Sequence, residues 1–397
     1  MSSLKTAENT SELTKVADRH IKDPVRYALW GRSAGRCQID GCNKLVWKSD
    51  LTQEDVNLAE AAHIYSFNAG GARGNVGISK NQINSTENLL LVCRACHKTI
   101  DDKPKDTRYS VDLLQLWKRT HEARVELVTG IKPDKTSHVL LYGAAIGNVE
   151  TSVDFHKASE ALFPQRFPAG REPIQLGVVN FAERDHEPDF WTVQSRQLEK
   201  RFQQRVAERI EDKEIKHLSV FAIAPQPLLI LLGSLLVDLV DAEVYQLHRE
   251  PTPSWSWPDS TTENDFIIRP PANPIGDRTP VLLLSLSASV HPDRISSVIE
   301  GEVDIWEITV DCPNNDLIKS PADLSAFRAT VRPLIDNLKT IYGQQTPLHI
   351  FPAASVSCNV ELGRIRMPKA HQPWIIYDQN NQLGGFVQTL TIGENNA

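Results

Sequence analysis

Apolar positions fall into short separated runs over the first third of the chain and into a recurring strand-and-helix pattern after it. Ala61–Tyr65 and Leu89–Cys93 are apolar enough to predict two short strands, and the residues after Cys93 read as a helix that includes Lys98 and Asp101. Asp23-Pro24 predicts the start of a helix running through Ala28–Gly31. Asp112–Val128 places Leu113, Leu116, Trp117, Ala123 and Leu127 at the spacing of an amphipathic helix, with Lys118, Arg119 and Arg124 on its exposed side. Between the two strands, Ala69-Gly-Gly-Ala-Arg73-Gly-Asn75 reads as a flexible loop. Arg73 in that loop is either solvated or a phosphate contact. Thr129–Ser137 reads as a linker, and His138–Tyr142 as a strand opening the back half.

The back half repeats itself at an offset of 130 residues in its apolar runs. The run from Ile174 to Phe181 matches Asp304–Asp311, and the helical Leu198–Ile210 matches Arg328–Ile341. Leu218–Pro227 matches Leu348–Ser357, and Val244–His248 matches Trp374–Asp378. Each unit therefore runs strand, helix, strand, small or Pro-containing turn, helix, strand, which predicts parallel sheets with crossover helices. Ligands bind such sheets outside the carboxyl ends of their strands, here Ala224-Pro-Gln226 and Phe351–Ser355. Each end leads into a helix whose free N–H groups favour an anion. No P-loop and no GxGxxG is present, which disfavours ATP hydrolysis and NAD binding. Trp255 and Trp257 lie in the Pro-rich segment Glu250–Pro258, where an indole face either stacks on a base or is tucked under hydrophobic cover.

Length and composition bound the class. The 397 residues suffice for two or three domains, and 41% hydrophobic with 23% charged residues is ordinary for a soluble globular protein. The most apolar run, Leu228–Leu236, is far shorter than the roughly 20 residues of a membrane span. Residues 1–24 are polar, without the apolar core of a signal peptide, so a cytoplasmic location is expected. Charge is uneven: residues 1–137 hold 21 Lys and Arg against 17 Asp and Glu, and the remainder 22 against 33. A mildly basic front suits a phosphate backbone, whereas an acidic back does not suit wrapping DNA.

Four of the six cysteines form two close pairs, Cys37/Cys42 and Cys93/Cys96, separated by a long loop. Each pair can clip one side of a tetrahedron, so the four predict a structural Zn²⁺ site. Cys312 and Cys358 remain, and no disulfide framework is needed. His97 and Asp101, spaced i, i+4, share a helix face and could grip one cation such as Mg²⁺. His63 on the facing strand could act as a general base, since imidazole titrates near neutral pH.

His63, Asn88 and His97, with Asn and His nine apart beside a CxxCH, resemble the HNH (ββα-metal) nuclease motif over about Pro24–Gly130. The resemblance implies His63 as base and Asn88 as a supporting residue that holds the loop or the His63 ring. That family usually carries a metal-binding residue directly before the base; here the position is Ala62, and Glu60 would substitute. An HNH domain followed by a duplicated Rossmann-like unit resembles the HNH–SAVED effector nucleases of bacterial CBASS anti-phage systems. Their SAVED domain fuses two CARF-like units and senses cyclic oligonucleotides.

The expected fold is thus an α+β zinc-braced ββα-metal domain followed by an α/β domain of two fused Rossmann-like (CARF-like) units. Its expected parts are a polar leader 1–24, an HNH domain 25–130, a linker 131–140 and a SAVED domain 141–397 with pseudo-repeats near 170–260 and 300–390. The implied partners are double-stranded DNA, a cyclic di- or trinucleotide activator held by Gln226, Trp255, Trp257, Phe351 and Ser355, and further copies of the chain in an assembly enlarged on ligand binding. A restriction-type endonuclease reading DNA with its back half and a non-catalytic zinc-braced DNA-binding protein are the competing readings.

Overall fold

The computed structural model describes residues 20–102, 107–177, 184–187, 189–259, 264–380 and 382–393. Residues 1–19 of the expected leader, and the end of the 174–181 run, lie outside them. The chain divides after Lys132 into two compact units.

In the first unit, α1 (Asp23–Ser33) precedes an antiparallel pair, β1 (Ala59–His63) and β2 (Leu89–Cys93). Then follow α2 (Arg94–Asp101) and α3 (Val111–Thr129). Pairing runs from Ala59↔Cys93 to His63↔Leu89, which sets the first strand two residues earlier than its apolar run suggests. Leu89–Val92 and Ala62 are buried with Leu29, Ile64, Ile100 and Leu114.

α3 is turned differently from its sequence pattern. Leu114, Lys118 and His121 face inward, while Leu116 and Leu127 are half exposed. The polar members of the buried stripe satisfy one another. Lys118 pairs with Glu122, Glu122 accepts from Gln38 Nε2 at 3.1 Å, and His121 Nε2 donates to Ser33 O at 3.0 Å. Paired in this way they can be buried at little cost, so an apolar stripe was not needed.

The second unit holds two lobes. The first contains β3 (Thr136–Gly143), α4 (Phe155–Glu160), β4 (Phe167–Pro168) and β5 (Ile174–Gln175). A long helix follows, α5 (Phe190–Phe202), which continues through a π-turn at Gln203–Ala207 into α6 (Glu208–Glu211). β6 (His217–Ile223), α7 (Gln226–Leu236) and β7 (Asp241–Val244) complete the lobe. Its strands are all parallel, with β3 at the centre and β4, β5 and β6 as its partners. Residues 136–140, inside the expected 131–140 linker, thus belong to a central strand that starts two residues before its expected start at His138.

The second lobe contains β8 (Ile267–Arg269), β9 (Thr279–Ser285), α8 (Asp293–Ser296) and β10 (Val303–Thr309), then α9 (Pro321–Tyr342) and β11 (Leu348–Ala353). α10 (Val356–Ile365), β12 (Trp374–Asn380) and β13 (Gly385–Ile392) end the described chain. The strand order is β13-β12-β11-β9-β10-β8, with β8 and β13 antiparallel at the edges. The orders β5-β3-β6-β7 and β10-β9-β11-β12 correspond strand by strand. Each lobe nevertheless begins earlier than the offset repeat, at β3 and β9. These two strands escaped the 130-residue match because the segments after them differ, α4 and β4 in one lobe against α8 in the other.

The apolar run Leu228–Leu236 forms most of α7, buried on nearly all sides, as expected of a helix apolar all round. It crosses α10, its counterpart in the second lobe, at a pair of glycines. A Cβ on Gly233 would lie 2.0 Å from Val360 O, and one on Gly363 would lie 2.0 Å from Ile230 O. Only two hydrogens in place of side chains allow this approach. One continuous core therefore runs from Leu140 and Leu218 through α7 and α10 to Leu282 and Ile350. The outer faces carry matching aromatic groups: Phe221 stacks on Tyr245 at 4.4 Å, and Phe351 on Tyr377 at 4.2 Å. No helix of the described residues is long and apolar enough to cross a membrane.

Candidate functional site

The four cysteine Sγ atoms of the first unit lie within 4.8 Å of one another, with Cys42 and Cys93 3.9 Å apart. Tetrahedral zinc at about 2.3 Å from each sulfur needs sulfurs separated by about 3.8 Å, so the cluster fits the ion. Burial holds the Cys37 thiol up at about 11, while hydrogen bonds from Cys96 and its neighbours outweigh burial and lower Cys93. Cys93 ends β2 and Cys96 lies in the first turn of α2, so the brace fixes the strand-to-helix turn that carries the remaining site residues.

His63 ends β1 and lines an open pocket of about 450 Å³ together with Ala61, Phe67, His97 and Asp101. Its Nε2 meets Asn84 Oδ1 at 2.9 Å. The Asn84 amide is oriented by Nδ2 donating to His20 O at 3.3 Å, so its oxygen faces the ring. An amide oxygen only accepts, so Nε2 carries a proton and, in the neutral ring, Nδ1 has the lone pair. Asn84 was not among the residues singled out from sequence. Asn88 was, and the structure gives it the other of its two expected tasks. Only 3% exposed, it accepts from Tyr65 N at 2.8 Å and donates to Tyr65 O and Ile83 O, so it holds the loop and does not reach the ring.

His97 and Asp101 face one another across a turn of α2, Nε2 to Oδ2 3.4 Å. Glu60 reaches the opposite ring nitrogen, Nδ1 donating to Oε2 at 2.7 Å. The three expected cation ligands are therefore together but do not converge on one point, and Glu60 holds the ring from behind. Among the described residues only the cysteines form a convergent group of three or more His, Cys, Asp and Glu donors. The His97–Asp101 pair still fits a cation. A metal-bound histidine commonly donates its other N–H to a carboxylate, which is the position of Glu60. The hydrogen bond to Asp101 raises the His97 pKa against the opposing effect of burial, and Glu60 adds to the rise. Burial alone would raise the Asp101 carboxyl, but His97 and Arg73 together hold it below its ordinary range.

Arg73 corrects a second expectation. It is neither solvated nor free to meet phosphate: its side chain is 5% exposed, and it donates to backbone carbonyls of β1 and α2 and to Asp101.

In the second unit the two expected strand ends do meet. Gln226 Oε1 accepts from Ala354 N and Asn359 Nδ2, each at 2.9 Å, and Gln246 Oε1 accepts from Ser357 Oγ at 2.6 Å. Ser355 caps α10 by accepting from Cys358 N. Two of the expected ligand contacts are core instead. Trp255, 4% exposed, packs edge-on against Phe221, and Phe351 is fully buried under Tyr377 and Phe386. The Pro-rich segment folds its indole inward because the sheet face beneath, with Val139, Leu141 and Phe221, needs apolar cover. Trp257 is half-buried and stacks on Tyr245 at 6.0 Å.

These two halves each match a known family. Residues 37–103 match the HNH endonuclease model, and residues 198–392 match the SAVED model, the SMODS-associated and fused to various effectors sensor domain. The chain carries an HNH endonuclease-family domain followed by a SAVED-family domain. Its fold is an HNH domain followed by a SAVED α/β domain. No curated protein matches the chain. Among solved structures, it is similar to the Acinetobacter baumannii Cap4 SAVED/CARF-domain containing receptor with the cyclic trinucleotide 2'3'3'-cAAA, at 11% identity and TM-score 0.42, covering 79% of this chain and 59% of that one. It is also similar to the Moraxella osloensis Cap4 receptor, at 8% identity and TM-score 0.38, covering 80% and 61%. The HNH–SAVED chain thus spans about three-fifths of the length of these receptors.

Proposed function

We propose that this HNH–SAVED chain is a metal-dependent DNA endonuclease of CBASS-type anti-phage defence, inactive until a cyclic di- or trinucleotide engages its sensor domain. The observation that carries the nuclease half is the pocket in which His63, with Nδ1 free, shares one wall with His97 and Asp101. His63 Nδ1 takes the proton of a water as that water attacks phosphorus, and Asn84 retains the opposite proton so that the ring stays in one tautomer. His97 Nε2 and Asp101 Oδ2 would hold a divalent cation such as Mg²⁺, which supplies neutralisation of charge developing on the phosphate and leaving oxygen. Glu60 orients His97, and Asn88 keeps the loop after β1 in place. Double-stranded DNA as substrate is supported by the basic balance of residues 1–137.

The sensor half is supported by the SAVED match and by the meeting of two strand ends at Gln226 and Ser355, where the N-termini of α7 and α10 favour an anionic ligand. Gating suits the chemistry, since a nuclease that cut host DNA freely would be lethal. Assembly of several copies on ligand binding would align the nuclease heads. Thiols with no required disulfide suit a reducing cytoplasm.

His63→Ala is the direct test of the nuclease half. Cleavage of linear duplex DNA with Mg²⁺ and an activating cyclic nucleotide should fall by roughly 10²–10⁴, with zinc content and sensor binding unchanged. Cleavage at the wild-type rate would overturn the role of His63.

A further inference from the structure

The loop joining β1 to β2 is built around a single buried cation. Ser66 N donates to Gly74 O at 2.8 Å, Arg73 N donates to Ser66 Oγ at 3.1 Å, and Gly71 N donates to Asn68 O at 3.0 Å. Two glycines permit this closure: Gly74 has φ of +64°, and a Cβ on Gly71 would lie 2.5 Å from Ser66 Cβ. The folded loop delivers the Arg73 side chain beneath the end of β1 and against the end of α2.

All three nitrogens of the Arg73 guanidinium are used there. Nε donates to Ile64 O at 2.6 Å, and Nη2 donates to His63 O at 2.9 Å, so the group grips the backbone of the base residue and the one after it. Nη1 donates to Ile100 O at 2.9 Å, one of the carbonyls that the C-terminal turn of α2 leaves without a helical partner. Nη2 also donates to Asp101 Oδ1 at 2.7 Å. With Oδ1 taken, Oδ2 is the oxygen left facing His97 at 3.4 Å. One planar group therefore ties the strand carrying His63 to the helix carrying His97 and Asp101.

We propose that Arg73 is a positioning residue of the nuclease site, which sets the separation of the base strand and the cation-holding helix and turns Asp101 so that Oδ2 addresses His97. This rests on the reading of His97 and Asp101 as the cation site. The role depends on shape as well as charge. A guanidinium offers a rigid fork that reaches four oxygens on three sides, whereas a lysine ammonium is a point donor on a flexible stem. The loop sequence is thus part of the active site although no atom of Arg73 needs to touch DNA.

The experiment is a Mn²⁺ titration of the zinc-loaded full chain, followed by the loss of the free-ion paramagnetic resonance signal, for wild type, Arg73→Ala, Arg73→Lys and His97→Ala. Supporting groups behind metal ligands commonly change affinity by roughly 10–100-fold, and a weakening of that order is expected in both Arg73 variants at unchanged zinc content. Should Arg73→Ala lose zinc, the Lys variant decides. Wild-type affinity in Arg73→Lys would mean that charge alone suffices and would overturn the proposal. Tighter binding in Arg73→Ala or Arg73→Lys would also overturn it, since Arg73 would then be a competing charge. His97→Ala should bind no Mn²⁺ at the wild-type site. If it binds as wild type does, the cation site itself is misassigned, a failure separate from any result with Arg73.

Discussion

Gly363→Ala perturbs the sensor domain at a point where the structure fixes the sign of the effect. In an ordinary helix interior, replacing Gly by Ala stabilises by about 1 kcal/mol. Here the added Cβ would lie 2.0 Å from Ile230 O and 2.7 Å from Ser234 N. A comfortable carbon–oxygen contact is about 3.3 Å, so α7 and α10 must separate by about 1.3 Å or bend. Both colliding groups are backbone, and no rotamer change relieves them. Overpacking of this kind costs about 1–3 kcal/mol and occasionally more; a backbone collision belongs at the upper end, leaving a net loss of about 1–2 kcal/mol. For a unit of this size each kcal/mol moves the midpoint by about 2–4 °C, so a fall of about 2–8 °C is expected. Scanning calorimetry of the full chain reads it directly. Gly31→Ala, where the new methyl meets nothing within 4 Å, supplies the opposite sign in α1 of the nuclease unit. A Gly363→Ala chain that melts at or above wild type would show that the two lobes are not joined by this crossing.

Three further outcomes follow from the geometry. Cys93→Ser should lose zinc and unfold the nuclease unit first, since a structural ion contributes folding free energy directly; zinc analysis with circular dichroism checks it, and full zinc occupancy would contradict it. Asn84→Ala should release the His63 ring and lower kcat for DNA cleavage with little change in KM, while Asn84→Gln recovers part of the rate; unchanged kcat in Asn84→Ala removes the tautomer argument. Burial, then the nearby Asp185 charge, holds the Asp378 carboxyl up at about 7. The folded protein therefore keeps a proton that the unfolded chain releases, and this contribution, complete below pH ~4, is lost as pH rises through about 7. Asp378→Asn should accordingly raise the melting temperature at pH 8 more than at pH 4, and an equal shift at both would refute the assignment.

The cysteine cluster and the placement of His63 beside His97 and Asp101 were legible because the pattern that carries them is local. Two cysteine pairs and an Asn–His spacing survive in sequence whatever the rest of the fold does. Asn84 and Arg73 were not legible in the same way. Each acts through hydrogen bonds to groups distant in sequence, His20 O for one and Ile100 O for the other, and a Gly-rich loop gives no sign of closing on its own arginine. The back half was read from spacing, which recovered the long helices and β6, β10, β11 and β12 but placed β7 three residues late. It missed β9, whose distance from its counterpart β3 differs from the general offset. Trp255 and Phe351 show the limit of composition. An aromatic residue beside prolines or at a strand end can stack on a ligand or cover a sheet, and only the packing of Phe221 and Tyr377 decides between them.

We propose that sensing and cutting reside in one chain. The most direct test is duplex DNA cleavage by the purified full chain with Mg²⁺, alone and with each member of a panel of cyclic di- and trinucleotides, while light scattering follows its mass. No cleavage is expected without ligand, and rapid cleavage with an increase in mass is expected for at least one cyclic nucleotide. Vigorous cleavage by the unliganded chain, with no member of the panel changing rate or mass, would contradict this proposal and favour an enzyme that reads DNA with its back half.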